Sequence, residues 1–252
     1  MININDARAK RRAWNFFDRM LKRYEIILYR RAHAYVLRQY QRVAAKVRRG
    51  DYDYAPVVNQ EENLLRSILV NLYKRIAITF GTMILRESEQ QKDVSSRTIF
   101  WNHILRWINE KVSRKVVGIN NTTRNRIRNI IRIGIEEGLS YREIASRLTL
   151  IGKISSIKRA KNIAWTETHT AANKGSFEMA RELKMKYKEW LSAKDERTRH
   201  DHRLANGQRV EIDDPFTVMG EALQFPGDPD GSPENVIRCR CTMIYRDDKG
   251  ES

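Results

Sequence analysis

The sequence is short of three things, and each shortage excludes a class of protein. The longest stretch without a charge is the ten residues from Ile76 to Leu85, closed by Arg75 and Arg86, whereas a membrane-spanning helix needs roughly 20 mostly apolar residues. No bilayer-spanning segment is expected, and the N-terminal MININDARAKRR has no apolar core ahead of a small-residue cleavage site, so no secretory signal is expected either. Cysteine occurs only as Cys239 and Cys241. Two thiols cannot supply a disulfide framework, and partners two apart would close a strained loop, so reduced thiols in a cytosol are expected. Proline stands at Pro56 and then not again until Pro215, Pro226, Pro229 and Pro233. Helices can therefore dominate from about residue 57 to the 180s, and a loop-rich segment must follow.

What is abundant is positive charge. The 252 residues are 41% hydrophobic, enough for a full core, but 48 Lys+Arg stand against 31 Asp+Glu, a net charge of +17. That balance points to a polyanionic partner, with nucleic acid first and an anionic membrane surface second. Residues 1–50 hold 14 of the basic and only 3 of the acidic residues, a net of +11.

The first 49 residues contain neither Gly nor Pro, and Trp14, Phe17, Leu21, Tyr24 and Leu28 recur at spacings of three and four. At about 100° per residue they share one side of a helix, and Arg8, Arg12, Arg19, Arg23 and Arg30 share the other. Beyond Arg31 the phase shifts to Val36, Tyr40, Val43 and Val47, with Arg31, Arg38, Arg42 and Arg49 opposite. A break or a change of partner is expected between about Arg30 and Tyr35. A turn at Gly50 and DYDYAP precedes a second helix from Glu61 to about Glu89, and Ser95-Ser96 opens a third. Asn120-Asn121-Thr122-Thr123 reads as N-cap formers ahead of a further helix closed by Gly138. Ser140 to Glu143 has capping-box spacing and starts a short helix through Leu148, and a last long helix runs from about Ser155 into the 180s. Lys186 to Ser192 and Ile237 to Tyr245 read as strands, with a turn at Ala205-Asn206-Gly207.

Two segments offer chemistry. Glu167, Thr170 and Asn173 lie on one helical strip, where a carboxylate and an amide can act as a base with its orienting partner or simply hydrogen-bond a neighbouring loop. His169 reads as a surface or packing residue. Further on, Cys239-Arg240-Cys241 with His202 presents three soft or borderline donors of the kind zinc takes, and Asp195, His200, Asp228 or water would have to complete the set. The bland alternative makes both cysteines small buried hydrophobes, with Asp195 tying down its turn by accepting backbone amides and Arg197.

In order, the chain presents A-x-T-E-T-H-x-A-A-N-x-G, W-x-x-x-x-D-x-R-T-R-x-x-H, G-Q, F-P-G-D-P and C-R-C-T. The carriers include Glu167, Asn173, Trp190, Asp195, Arg197, Thr198, Arg199, His202, Gly207, Asp228, Cys239 and Cys241. Over roughly residues 155–245 this resembles the C-terminal domain of the phage Mu F-like minor head proteins, or head morphogenesis proteins. The resemblance implies a low-copy structural protein of a tailed phage, made in the bacterial host cytoplasm. It would be placed inside the capsid near the portal vertex, with portal protein and capsid or scaffold protein as partners. Many members carry Cys-x-x-Cys where Arg199 and His202 stand here, and a histidine shortly before Cys-Arg-Cys, so this chain has lost donors.

The expected fold is α+β: a mainly helical N-terminal region followed by a small α+β C-terminal domain with a short antiparallel sheet. The expected divisions are a basic helical arm over 1–50, a helical region over 51–152 and the Mu F-like domain over 153–252. The expected function is non-enzymatic, with Arg8, Arg12, Arg19, Arg23, Arg30, Arg31, Arg38 and Arg42 touching double-stranded DNA without reading sequence. Glu167, Asn173, Trp190, Asp195, Arg197, Arg199 and Gly207 are structural motif positions, and zinc on His202, Cys239 and Cys241 is the one cofactor considered. The rivals are a metal-dependent nuclease using His200, Asp201 and His202, and a regulatory DNA-binding protein using Ser140–Leu148 as recognition helix.

Overall fold

The structure is a computed structural model and describes residues 7–88 and 94–247. Five helices come first: α1 (Ala7–Val47), α2 (Ala55–Gln60), α3 (Glu62–Glu87), α4 (Val94–Glu136) and α5 (Tyr141–Glu182). The C-terminal elements are β1 (Tyr187–Leu191), α6 (His200–Leu204), β2 (Arg209–Glu211), β3 (Phe216–Val218), β4 (Glu221–Leu223), α7 (Pro233–Val236) and β5 (Thr242–Arg246). The fold is α+β as expected, with long helices first and a small antiparallel sheet last.

Three expected helix ends do not exist. α1 runs unbroken through Arg30–Tyr35, so the break is absent, and the helix passes from one compact unit to the other between Tyr24 and Glu25, ahead of the phase shift at Arg31. α4 passes straight through Asn120–Thr123. Those residues looked like caps because their side chains favour local hydrogen bonds, but Thr122 and Thr123 bond back to the Gly118 and Ile119 carbonyls, and Asn120 is buried and accepts from the Tyr35 hydroxyl at 2.8 Å. α5 joins the two helices expected to be separate at Leu148 and Ser155. Its capping box is as read, with Ser140 N donating to Glu143 Oε2 at 2.8 Å and Glu143 N to Ser140 Oγ at 3.3 Å. Smaller corrections are a helical turn, α2, with Pro56 in its first turn inside the expected loop, and a last strand that begins only at Thr242. The expected end of the second helix, Glu89, lies outside the described residues.

α3 has a mean hydropathy of 1.4 over its most apolar stretch, enough by length and composition to cross a membrane despite its internal charge. Its Leu65, Leu69, Leu72, Tyr73, Ile76 and Phe80 are nevertheless buried within the protein.

One compact unit comprises Met1–Tyr24, Leu72–Ile108 and Trp165–Ser252. Its three-stranded sheet has the order β2-β1-β5, all antiparallel, with Trp190 opposite Met243 and Glu189 opposite Arg209. Alternation along β1 sends Lys188 and Trp190 to one face and Glu189 and Leu191 to the other. The first face meets Phe177 of α5 and Phe216 of β3. The second is covered by the first turns of α1, where Trp14 packs with Leu191, Ala193 and Ile244. β3 and β4 form a hairpin closed by Met219 and Gly220, both at positive φ. α3 and α5 approach at Gly175, where a Cβ would stand 2.4 Å from the Ala77 carbonyl oxygen, so only glycine fits.

The other unit comprises Glu25–Asn71 and Asn109–Ala164. Tyr35, Gln39 and Asn120 form a buried hydrogen-bonded trio. Gly152 of α5 lies against the Tyr40 ring of α1, and Gly134 of α4 against Ile144 of α5. This unit holds 21 Lys+Arg and 9 Asp+Glu, so +12 of the chain's +17 lies in it.

Candidate functional site

His202, Cys239 and Cys241 converge, all buried, with their donor atoms within 4.8 Å of one another. The backbone that brings them together was only partly legible in the sequence. His202 lies on α6, a five-residue helix opened by Arg199. The cysteines sit on an irregular bend before β5, where Arg238 adopts φ 59°. This bend lets two cysteines separated by a single residue face one side, which a straight strand forbids. His202 Nδ1 lies 3.6 Å from Cys239 Sγ and 3.4 Å from Cys241 Sγ, while its Nε2 lies 3.2 Å from Asn235 Oδ1. The Asn235 oxygen fixes the tautomer: Nε2 carries the proton and Nδ1 offers its lone pair to the sulfurs.

These distances test the cluster against a metal. A tetrahedral zinc with bonds of about 2.3 Å to sulfur and about 2.0–2.1 Å to nitrogen places sulfur and nitrogen about 3.5 Å apart. Both observed separations fit. Burial pushes both thiols up and leaves Cys241 well above the ordinary thiol value, while contact with Cys241 and His202 brings Cys239 well below it. A cation bound there would displace the thiol protons. Trp190 stands edge-on to the His202 ring at 5.6 Å, its buried indole nitrogen beside the Cys241 sulfur. Among the described residues no fourth His, Cys, Asp or Glu joins the cluster. His200, one of the rival nuclease's ligands, is exposed on α6 while His202 is buried, so the two do not converge. Ser140–Leu148 is likewise no separate recognition helix, being the opening of α5 with Ser140 as its cap.

Beside the cluster lies a hydrogen-bonded clasp. Asn173, fully buried on α5, donates to the Pro226 carbonyl at 2.9 Å and the Cys241 carbonyl at 3.1 Å, and its Oδ1 accepts from the Thr242 hydroxyl at 2.9 Å. Three motif segments that are far apart in sequence are thereby tied to one amide. Thr170 Oγ1 donates to the Gly227 carbonyl at 2.8 Å, and Asp228 holds its own loop by accepting from the Gln224 and Asp230 amides. Burial raises the Asp228 carboxyl above its ordinary value. His169 is a buried packing residue against Phe17. Glu167 accepts from the Tyr73 hydroxyl on α3. Gly207, at φ 87°, completes the expected turn and donates to the Trp190 carbonyl at 2.8 Å.

Asp195 does anchor its turn, through partners partly missed in the sequence. It accepts from Thr198 Oγ1 at 3.0 Å and pairs with Arg240. Burial pushes its carboxyl up, but Thr198, Arg240 and the Arg197 amide outweigh that and leave it below the ordinary value. Arg199 donates to the Ile237 carbonyl, on the approach to the cysteine bend. The Arg197 side chain is exposed.

Sequence reasoning missed the anchoring of α1. Glu189, 1% exposed, is held by Lys10 at 2.5 Å, Arg209 at 3.1 Å and Arg246 at 3.2 Å. Arg11 donates to the Ala193 carbonyl at 2.7 Å and Trp14 Nε1 to the Arg240 carbonyl at 2.9 Å. No spacing rule links residues so far apart. The eight ridge arginines are all exposed as expected. Arg38 and Arg42 are engaged by Glu61 at 3.5 and 2.7 Å, whereas among the described residues no carboxylate pairs with Arg12, Arg19, Arg23, Arg30 or Arg31.

Residues 125–244 match the family model described as Phage Mu protein F like protein. Over 174 residues, 66% of this chain, it is 29% identical to the NAD(+)--arginine ADP-ribosyltransferase EFV of Enterococcus faecalis (strain ATCC 700802 / V583), of which it spans 35%. Over 200 residues, 77% of this chain, it is 28% identical to Minor head protein GP7 of Bacillus phage SPP1, of which it spans 63%. No solved structure matches.

Proposed function

We propose, from the match of residues 125–244 to the phage Mu F-like family model, that the chain is a structural, non-enzymatic minor head protein of a tailed phage. It would sit inside the capsid near the portal vertex, with portal and capsid or scaffold protein as partners and packaged double-stranded DNA touching its basic surface. The observation that carries this reading is how the motif residues are used. Asn173, Thr170, Asp195, Asp228 and Gly207 all serve internal contacts that join loops to helices, as an adhesive domain requires. Mass spectrometry of purified virions tests the assignment, together with particles made without the gene: the chain should be a minor virion component, and its loss should leave heads defective in assembly or DNA retention. Its absence from virions would refute the proposal.

The ADP-ribosyltransferase relative supplies the competing reading. Since only 35% of that protein is spanned, the activity in its name can reside wholly outside the shared part. Incubation with NAD⁺ and an arginine acceptor discriminates the two: the structural reading expects no transfer above the uncatalysed rate.

DNA contact is supported by the exposed ridge. If Arg12, Arg19, Arg23, Arg30 and Arg31 each reach a phosphate, log affinity falls with log salt at a slope of about −4 to −5. α1 buries Trp14, Leu28, Tyr35 and Tyr40, so the test is by Arg→Gln substitutions along the ridge, since deletion would remove core. Zinc is supported by the fit of His202, Cys239 and Cys241, which would hold it, with Asn235 orienting the histidine and water or another group as fourth ligand. Bound there, zinc would cross-link α6 to the cysteine bend. About one zinc per chain in protein purified without chelator, lost in Cys239→Ser, is the expected result.

A further inference from the structure

Exposed apolar side chains are scattered singly over most of the described residues, which is ordinary for a protein surface. The part of α5 that belongs to the unit of Glu25–Asn71 and Asn109–Ala164 carries the exception. Its Leu150, Ile154 and Ile157 are 62%, 67% and 43% exposed, and among the described residues they alone of the large exposed apolar side chains repeat at spacings of four and three. At about 100° per residue the three fall within about 60° of one another, while Leu148, Gly152, Ser156 and Ile163, all buried, fall on the opposite side of the helix. The exposed seam is therefore a second apolar face, separate from the one α5 turns inward.

The charges around this seam are of one sign. From Ile144 to Thr166 there is no Asp or Glu, whereas Arg147, Lys153, Lys158, Arg159 and Lys161 are basic. By the same helical spacing Lys153 borders one edge of the seam, Arg147 and Lys158 border the other, and Lys161 closes its C-terminal end. Glu137 engages Arg147 at 2.7 Å, but among the described residues no carboxylate pairs with the exposed Lys153, Lys158 or Lys161.

We propose that this face of α5 docks an acidic amphipathic helix of another protein, which sets aliphatic side chains against Leu150, Ile154 and Ile157 and Asp or Glu against the bordering lysines. The four-and-three spacing is that of a coiled-coil seam, and the charges that border such a seam choose its partner. Two copies of this chain would set Lys153 and Lys158 against lysines whether the helices ran parallel or antiparallel. A helix lying in a bilayer surface buries a broad face with Trp, Phe or Leu along it, whereas a stripe of about 60° is the narrow kind that pairs helices. Neither the virion assignment nor the DNA contact proposed above enters this reading.

The probe is a fluorescently labelled helical peptide with Leu and Ile along its seam and Glu on both edges, titrated with the full chain and followed by anisotropy. A peptide with the same seam and Lys edges is the control, and it should bind at least about tenfold more weakly. Leu150→Gln with Ile154→Gln, at exposed positions that tolerate a polar helix former, should weaken binding of the Glu-edged peptide at least about tenfold while the melting temperature stays unchanged. Lys153→Glu with Lys158→Glu should reverse the preference between the two peptides. A Glu-edged peptide that binds the glutamine variant as tightly as the unsubstituted chain is held by net charge alone, and that result, or no binding at all, overturns the proposal. Binding to anionic vesicles and self-association of the chain are measured alongside. If the glutamine pair abolishes either of these and the peptide does not bind, the proposal is overturned in favour of a membrane surface or a second copy.

Discussion

Replacing Asn173 should unfasten the C-terminal domain, and the structure sets the size of the effect. Asn173→Ala removes the donor to the Pro226 and Cys241 carbonyls and the acceptor for the Thr242 hydroxyl, in a site with no access to water. A buried polar group left unsatisfied costs about 1–3 kcal/mol. The Thr242 hydroxyl can rotate to another acceptor, so the two carbonyls dominate and about 3–5 kcal/mol is expected. Asn173→Asp should be worse than alanine, since it turns a donor into a carboxylate oxygen facing two carbonyl oxygens in a desolvated site. Urea unfolding followed by far-ultraviolet circular dichroism gives the ranking directly. The reasoning fails if Asn173→Ala costs less than about 1 kcal/mol, or if aspartate is tolerated better than alanine.

Three further outcomes follow from other contacts. Gly175→Ala drives a methyl into the Ala77 backbone and should lower stability by at least about 2 kcal/mol, measured by the same unfolding curves. Burial takes the Lys188 amine down to about 7 from an ordinary lysine value; charging it therefore penalises the fold increasingly as pH drops from about 10.4 towards 7, and Lys188→Met, which removes that charge together with the donor to the Gln224 carbonyl, should flatten that part of the pH profile. The Asp195 carboxyl, lowered in the fold, contributes stability that is present above the unfolded carboxyl value of about 3.9 and lost as pH falls through the folded one, so Asp195→Asn should erase that acid-side slope without altering any transfer activity.

Much of the helical core was legible because burial imposes a period. Trp14, Phe17, Leu21 and Leu28 are buried where the spacing places them. Helix ends were less legible, since Asn120 serves the interior of α4 in a hydrogen-bonded network whose other members, Tyr35 and Gln39, lie more than 80 residues away, and Thr123 bonds back to the Ile119 carbonyl. In the candidate metal site the ligands could be read from residue chemistry, but Asn235 could not: an amide that orients a histidine has no spacing signature. Glu189 was hidden for the same reason, since alternation in β1 shows only that it lies opposite Lys188 and Trp190.

The docking of α1 on the sheet has a consequence for synthesis. Lys10 and Glu189 are 179 residues apart, and Trp14 and Arg240 are 226 apart, so α1 cannot complete these contacts until the chain up to β5 has been made. Until β5 arrives, Trp14 has no complete sheet to cover, and closure of a loop this long is slow compared with helix formation. The nascent chain therefore carries Trp14 without its full set of partners until Arg240 and β5 have been made. A chain ending before Cys239 never finds it, and should be recovered bound to chaperones or aggregated.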